Sequence, residues 1–444
     1  MKKTAILLLC LAVSMATHAE NITFADPHVK AICVEHWDTD GDGELSMDEA
    51  AAVTSLLNHF MGDEGVSSFN ELQYFTGVHT LLTSEFSGCK YLTSIQLPPQ
   101  LNAINGNVFR SCVRLTALDI PGSVTTIDEF AFYGCFSLAT VNFNEGLKTI
   151  GEMAFNGCSG LLRVDLPSTV KSIAATSFQG CPSIEAITVA PGNTVYDSRE
   201  GCNAVVNTAN NQIVLGCQNT TFPETVTAIG SCAFLGCKKL TAINLPEGIT
   251  GIGSSAFSGC TNLTTAVLPA TLTSLGNSAF YGCTNLTDVR LAEGLSNIES
   301  YAFYSCRNLT HITIPSTVTV LKNYAFYECP KLVEVTVGFS TPLSIGSNTF
   351  SNRRNATLYV PKGCVQEFRQ ASYWNEFKNI EEQRIPGDVN HDGFINIYDV
   401  TLMIDYILGL DPTNFHITEA DINDDTFINI YDVTLLIDII LAKE

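Results

Sequence analysis

The strongest constraint on this chain is a period: ten cysteines fall in two runs with a constant step of 23 residues. Cys89, Cys112, Cys135, Cys158 and Cys181 form the first run; Cys237, Cys260, Cys283, Cys306 and Cys329 form the second. A Phe stands three residues before each, from Phe86 to Phe326, and a Leu or Ile three after, as at Leu92, Leu115 and Leu309. One period, from Leu309, reads LTHITIPSTVTVLKNYAFYECPK. Leu309, Ile312 and Ile314 have the spacing of a short strand with one buried face. Pro315 and Ser316 turn the chain, and Val318 and Leu321 form a second apolar step. Ala325 and Phe326 plug the interior, and Cys329 closes the turn. A unit this short cannot bury its apolar face alone. Successive units must therefore stack into a solenoid whose strands pair in parallel, about 4.8 Å apart.

Between Cys181 and Cys237 lie 56 residues, two periods plus ten. The surplus predicts an insertion near 190–220, with a hairpin turning at 208–211 that sets Cys202 opposite Cys217. That pair is the one disulfide the numbering suggests. Five cysteines per run cannot pair completely within the run, so they read as buried free thiols acting as small apolar plugs. No C-x-x-C occurs, which leaves zinc or dithiol redox chemistry without support.

The L-x-x-I-x-L-P strands and the A-F-x-G-C turns, as at Ala131–Cys135 and Ala256–Cys260, strongly resemble the BspA-like branch of leucine-rich repeat proteins. The resemblance covers about residues 66–380. It implies a β-rich leucine-rich repeat solenoid on a bacterial surface, with adhesion as its role. The insertion also resembles one common in that family.

Charge divides the chain differently. Net charge is −22, which argues against a nucleic-acid partner. Residues 20–64 hold 11 acids and one base, and residues 386–444 hold 12 acids and one base; the long middle is nearly neutral. Concentrated carboxylates repel one another or hold cations, and spacing decides which. Residues 38–49 read DTDGDGELSMDE. Asp38, Asp40, Asp42, Ser46 and Glu49 place oxygen at loop positions 1, 3, 5, 9 and 12; Glu44 adds its carbonyl at position 7, and Gly43 makes the sharp turn at position 6. This is the EF-hand pattern for calcium, with flanking helices expected over 26–37 and 47–58. The usual partner EF-hand is missing.

A second duplication lies at the other end. FINIYDVTL occurs at 394–402 and again at 427–435. Asp388, Asn390, Asp392, Phe394, Asn396 and Asp399 form one loop, and Asp421, Asn423, Asp425, Phe427, Asn429 and Asp432 the other, each followed by an apolar helix. The whole resembles a type I dockerin, a paired calcium-loop module that plugs into a cohesin receptor. By that resemblance Ile397–Tyr398 and Ile430–Tyr431 form the recognition pair and its repeat. One departure stands out: position 6 is Gly393 in the first loop but Thr426 in the second.

Met1, Lys2 and Lys3, the apolar run from Ala5 to Val13 and the small residues Thr17 and Ala19 describe a bacterial signal peptide over 1–19. No other stretch is apolar enough to span a membrane. The expected organisation is thus 1–19 signal peptide, 20–65 EF-hand-like module, 66–380 solenoid, 381–386 linker and 387–444 dockerin. Small α-helical calcium-binding modules flank the solenoid, and the protein is secreted or on the cell surface. The histidines show no metal-ligand or triad spacing, and no nucleophile motif occurs, so the chain reads as no enzyme. Outward strand positions such as Asp119, Asn142, Arg163 and Thr313 are small or polar. Tyr281, Tyr304 and Tyr327 recur in three consecutive turns and predict an aromatic ladder that contacts a partner protein or glycan of host or microbial origin, or simply covers the turns. Two roles follow: an adhesin, or a non-catalytic subunit recruited by cohesin into a polysaccharide-degrading complex.

Overall fold

The structure, a computed structural model, describes residues 20–383, 385–390, 394–423 and 425–442. The expected leader, 1–19, lies outside them. Each period forms one turn of a solenoid. In the period from Leu309, His311–Ile314 is a strand with Ile312 and Ile314 buried and His311 and Thr313 facing out. It pairs in parallel with Glu334–Val337, His311 beside Glu334. The same step relates Ala117 to Thr140, Arg163 to Ala186 and Thr265 to Asp288. The second apolar step makes a separate ladder of two-residue strands, in which Thr126, Thr149 and Ser172 are neighbours, as are Asn297 and Val320.

Inside, the Phe rings stack nearly parallel: Phe109 on Phe132 at 5.2 Å, Phe132 on Phe155 at 4.9 Å, Phe280 on Phe303 at 5.4 Å. The cysteines are free, but they are not mere plugs. The Phe109 carbonyl accepts the Cys112 N–H of its own turn at 3.1 Å and the Cys135 thiol of the next at 3.0 Å. The Phe280 carbonyl does the same for Cys283 N–H and the Cys306 thiol. Burial pushes the thiols of Cys135 and Cys283 up to about 12, so each remains a protonated donor. The residue before each cysteine is left-handed, with φ of +73° at Gly134 and +76° at Gly157, which is why glycine recurs there.

The insertion is a hairpin, as expected: Ala204–Asn207 runs antiparallel to Gln212–Gly216. Near the turn, Asn207 faces Gln212 and Val206 faces Ile213; past a bulge, Val205 faces Leu215 and Ala204 faces Gly216. That slip of one residue flips the side chains between faces. Cys202 joins the apolar core of the second half-solenoid, and Cys217 joins that of the first. The suggested Cys202–Cys217 disulfide is therefore absent, and both thiols are free.

The ends differ in kind. At the N-terminus, α1 (Pro27–Trp37) and α2 (Met47–Ala52) flank the first acidic loop. The second helix is shorter than the expected 47–58. Val53 is extended and Leu57 and Asn58 take positive φ, which steers the chain so that Phe60 can stack on Phe86. Ile22, Val29, Cys33, Leu45 and Phe60 share one core with the first solenoid turns. Asp26 fastens the junction. Its carboxylate accepts the His28 N–H at 2.8 Å and both the N–H and the hydroxyl of Ser67 at 2.7 Å. At the far end Trp374 is fully buried, its indole N–H donating to Leu343 O at 2.8 Å, and closes the solenoid beside α3 (Val365–Gln370). Then α4 (Ile397–Ile407), α5 (Ile417–Ala420) and α6 (Ile430–Leu441) surround a separate small core of Val389, Val400, Met403, Val433 and Leu436.

Glu85 occupies the place held by Ala131 and Ala154 in later turns, and it is fully buried under the N-terminal cap. Burial pushes its carboxyl up to about 7 from 4.5, against the pull of the Asn58 and Leu82 backbone. A carboxyl raised on folding stabilises below its unfolded value, and that stability is lost as pH rises through the folded value. Urea unfolding should therefore show the N-terminal half weakening between about pH 4.5 and 7, by up to roughly 3 kcal/mol. Glu85→Ala should be flat over that window and more stable than the parent at pH 8; equal pH slopes would contradict this.

Candidate calcium loops and docking face

In the N-terminal loop the carboxylate oxygens of Asp38, Asp40 and Asp42 lie within 4.8 Å of one another. The loop wraps itself around them. Gly43 N–H donates to Asp38 at 2.9 Å, Asp42 N–H to Asp40 at 3.1 Å and Glu44 N–H to Asp42 at 2.7 Å. Gly43 has φ of +83°. Glu49 accepts the N–H and hydroxyl of Ser46 at 2.9 Å and those of Thr39 at 2.7 and 2.8 Å. These bonds, the Ser46 N–H first, hold its carboxyl down to about 2. Three clustered carboxylates and a fourth kept ionised make a hard, oxygen-only donor set, which suits calcium rather than a soft metal. The segment before α1 pairs with the end of the loop: Ile22 N–H donates to Leu45 O at 2.8 Å and Met47 N–H to Glu20 O at 3.0 Å. Residues 20–22 thus form a short antiparallel bridge with the loop, Asn21 beside Ser46.

The second C-terminal loop repeats this wiring. Thr426 N–H donates to Asp421 at 2.8 Å, Asp425 N–H to Asn423 at 3.0 Å and Phe427 N–H to Asp425 at 2.8 Å. Asn429 caps α6 and Asp432 answers its N–H at 3.0 Å. The pivot is kept as well: Thr426 has φ of +72°, in the left-handed region that a β-branched residue resists. In the first loop Asn396 and Asp399 form the same reciprocal cap on α4, and Asp399 accepts the Val389 N–H at 3.0 Å. Burial, aided by Asp388, pushes the Asp399 carboxyl up, a penalty that a bound cation would remove. Asp388 is buried, and Asn390 belongs to the loop backbone. Asp392 and Gly393 lie outside the described residues.

The residues that the dockerin resemblance assigns to recognition do not pack inward. Ile397 is 71% exposed and Tyr398 56%, while Ile430 is 65% and Tyr431 72%. Phe394 and Phe427, read from sequence only as carbonyl donors, are 73% and 70% exposed and enlarge each patch. The signal that could have found them was present: an aromatic at position 7 of both copies, next to an apolar pair.

On the solenoid, Tyr281 stacks on Tyr304 at 4.9 Å, Tyr304 on Tyr327 at 5.9 Å, and Tyr301 on Tyr324 at 4.9 Å. The Tyr304 hydroxyl donates to Glu328 at 2.9 Å. Stacking covers the ring faces, so the ladder offers edges and hydroxyls rather than a platform for a sugar ring. On the strand face, Asn142 donates to Asp119, and Arg163 grips Asp165 with two bonds of 2.9 Å. His36 and His59, far apart in sequence, stack at 3.6 Å beside Trp37 as a packing contact.

The BspA type leucine-rich repeat profile, in six copies, matches residues 65–199, 214–333 and 297–396. Its gap falls on the inserted hairpin. The dockerin type I domain profile matches residues 386–441. No curated protein matches. Among solved structures, the chain is similar to the pneumococcal vaccine antigen PcpA, with 20% identity, 70% of this chain and 78% of that chain covered, and a TM-score of 0.55. It is also similar to a leucine-rich repeat protein from Bacteroides ovatus, with 23% identity, coverage of 74% and 88%, and a TM-score of 0.51. Both likenesses show the fold.

The strained pivot yields a measurable asymmetry. Left-handed Thr426 costs roughly 1–3 kcal/mol, and about 1.4 kcal/mol is tenfold in affinity. Calorimetry with calcium should find the Asp388 loop tighter than the Asp421 loop. Thr426→Gly should tighten the weaker site about tenfold; equal sites in the parent, or no gain in the variant, would refute the strain argument.

Proposed function

Because the chain belongs to the BspA-type leucine-rich repeat family, we propose that it is an exported, non-catalytic, calcium-binding scaffold, docked through its C-terminal domain to a cohesin-type receptor. The observation that carries this reading is the pair of exposed patches, Phe394–Ile397–Tyr398 and Phe427–Ile430–Tyr431, at corresponding places in the two halves of a domain with its own core. A soluble module does not normally leave such apolar residues uncovered on both copies of a duplicated element. Apolar and aromatic residues set together are what a buried interface uses as anchors.

Calcium supports docking in this reading. Asp388, Asn390, Asp392, Phe394, Asn396 and Asp399 hold one ion; Asp421, Asn423, Asp425, Phe427, Asn429 and Asp432 hold the other. Each loop ends in the Asn cap that starts its recognition helix. Ion binding therefore fixes the helix end on which the patch is built. The N-terminal loop, through Asp38, Asp40, Asp42, Glu44, Ser46 and Glu49, takes a third ion and stiffens the cap of the solenoid. No helix among the described residues is long and apolar enough to cross a membrane. The protein then works outside the cell membrane as a docked binding subunit, for example within a polysaccharide-degrading assembly. Cohesin domains from the source organism, titrated against the chain in a native gel, test this. Binding should appear with calcium and vanish with chelator. Replacing Ile397, Tyr398, Ile430 and Tyr431 with Ala should abolish it while helix content is kept; retained binding would overturn the docking reading.

A second reading, adhesion through the solenoid, is favoured by the tyrosine ladder. Its exposed edge and the hydroxyl-to-Glu328 bond suit a protein partner better than a stacked glycan. Replacing Tyr281, Tyr304 and Tyr327 together with Ser should leave the melting temperature within a few degrees of the parent and weaken binding to immobilised host matrix proteins. Undiminished binding would assign the ladder to turn covering.

A further inference from the structure

Nine of the ten column thiols donate to a Phe carbonyl one turn back, at 3.0–3.3 Å. Cys237 alone among them has no such acceptor, although it is buried. The cause is the inserted hairpin. In most turns the ladder Phe donates its N–H to the carbonyl of the residue just before the next ladder Phe, as Phe109 does to Ala131 at 2.8 Å; before the Cys237 turn, Gly216 does so, to Ala233 at 2.9 Å. Gly216 therefore stands in the slot of a ladder Phe. A Cβ there would meet Phe234 Cε1 at 2.2 Å, so only glycine fits beneath that ring. The Gly216 backbone is paired with Ala204 in the hairpin, and the ladder of shared carbonyls stops at this turn.

Beside that gap sits Cys217. It lines, with Cys181, Cys232 and Cys237, a cavity of about 20 Å³ at the break between the two half-solenoids. The Cys181 thiol is already engaged, donating to Phe155 O at 3.1 Å. Cys202, on the other face of the hairpin, is turned away by the bulge. Cys217 lies close enough to Cys237 for charge on one to bear on the other. Cys217 and Cys237, one from each apolar core, thus line one void; the Cys217 thiol donates to Asn203 O at 3.5 Å and accepts from the Thr220 hydroxyl at 3.9 Å, longer contacts than the 3.0–3.3 Å bonds of the ladder thiols.

We propose that Cys217 and Cys237 form a disulfide that staples the hairpin to the first turn of the second half-solenoid. The bond would stand where both the stacked Phe rings and the thiol–carbonyl ladder are interrupted, replacing two weak couplings with a covalent one. The oxidant is a small-molecule disulfide such as oxidised glutathione. One cysteine thiolate attacks it, releasing one glutathione thiol and forming a mixed disulfide. The second thiolate then displaces the other glutathione and closes the Cys217–Cys237 bond. The two cysteines lose two protons and two electrons, which the reagent receives as two thiols. Burial pushes the Cys237 thiol up to about 12, so the folded chain reacts slowly and the bond forms while the chain folds.

The test is to refold the full chain once in a glutathione redox buffer and once in reductant alone, alkylate, digest and map by mass spectrometry. The expected result in the redox buffer is a cross-linked peptide pair joining Cys217 to Cys237, two fewer titratable thiols and a higher melting temperature than the reduced chain. Cys217→Ser should keep all its remaining thiols free, whereas Cys202→Ser should still form the bridge. A full complement of free thiols after oxidative refolding would overturn the proposal, as would a bridge joining Cys181 to Cys237 or Cys202 to Cys217.

Discussion

Most turns of the solenoid depend on one shared acceptor, the backbone carbonyl of the ladder Phe. It binds the N–H of its own cysteine and the thiol of the next turn's cysteine, so the same oxygen closes one corner and couples it to its neighbour. A single bond of this kind contributes about 1 kcal/mol. Repeated along the stack beside Phe rings about 5 Å apart, it sets the register of the corner. The geometry demands a small side chain with a donor, which cysteine supplies without the hydration penalty of burying a hydroxyl. It also demands a left-handed residue just before, which glycine supplies at Gly134 and Gly157.

A stack of this kind has open ends, and the two are handled differently. The N-terminal segment is built into the solenoid. Its helix cap Asp26 holds Ser67, its Phe60 continues the ring ladder, and Leu45 of its acidic loop joins the core of the first turns. The end past Trp374 is closed first, and the dockerin follows with a core of its own. In the proposed reading, an ion at the N-terminal loop would bear on the stability of the rod, whereas ions at the C-terminal loops would bear on what the rod is attached to.

The inserted hairpin shows how a solenoid tolerates an interruption. Its strand Gln212–Gly216 joins the second ladder in parallel beside Ala228 while its other strand folds back antiparallel. The bulge then lets one hairpin present apolar residues to both half-solenoids, with Val206 and Ile213 toward one and Val205 and Leu215 toward the other. Two cores meet at a shared wall instead of ending in solvent.

The sequence by itself determined the period, the parallel stack, the place of the insertion and its turn, and the oxygen spacing of all three acidic loops. These are local or strictly repeating features. A step of 23 residues returns each side chain to the same environment, and a twelve-residue loop carries its own ligands. Tertiary structure alone decided what depends on a neighbour across the stack. Cysteine became a donor because a Phe carbonyl lies one turn back, and Cys202 and Cys217 parted because one bulged residue changes the face of every residue beyond it. The N-terminal loop pairs with residues 20–22, and Phe394 and Phe427 proved to be surface residues, because exposure belongs to the packed chain and not to any one residue.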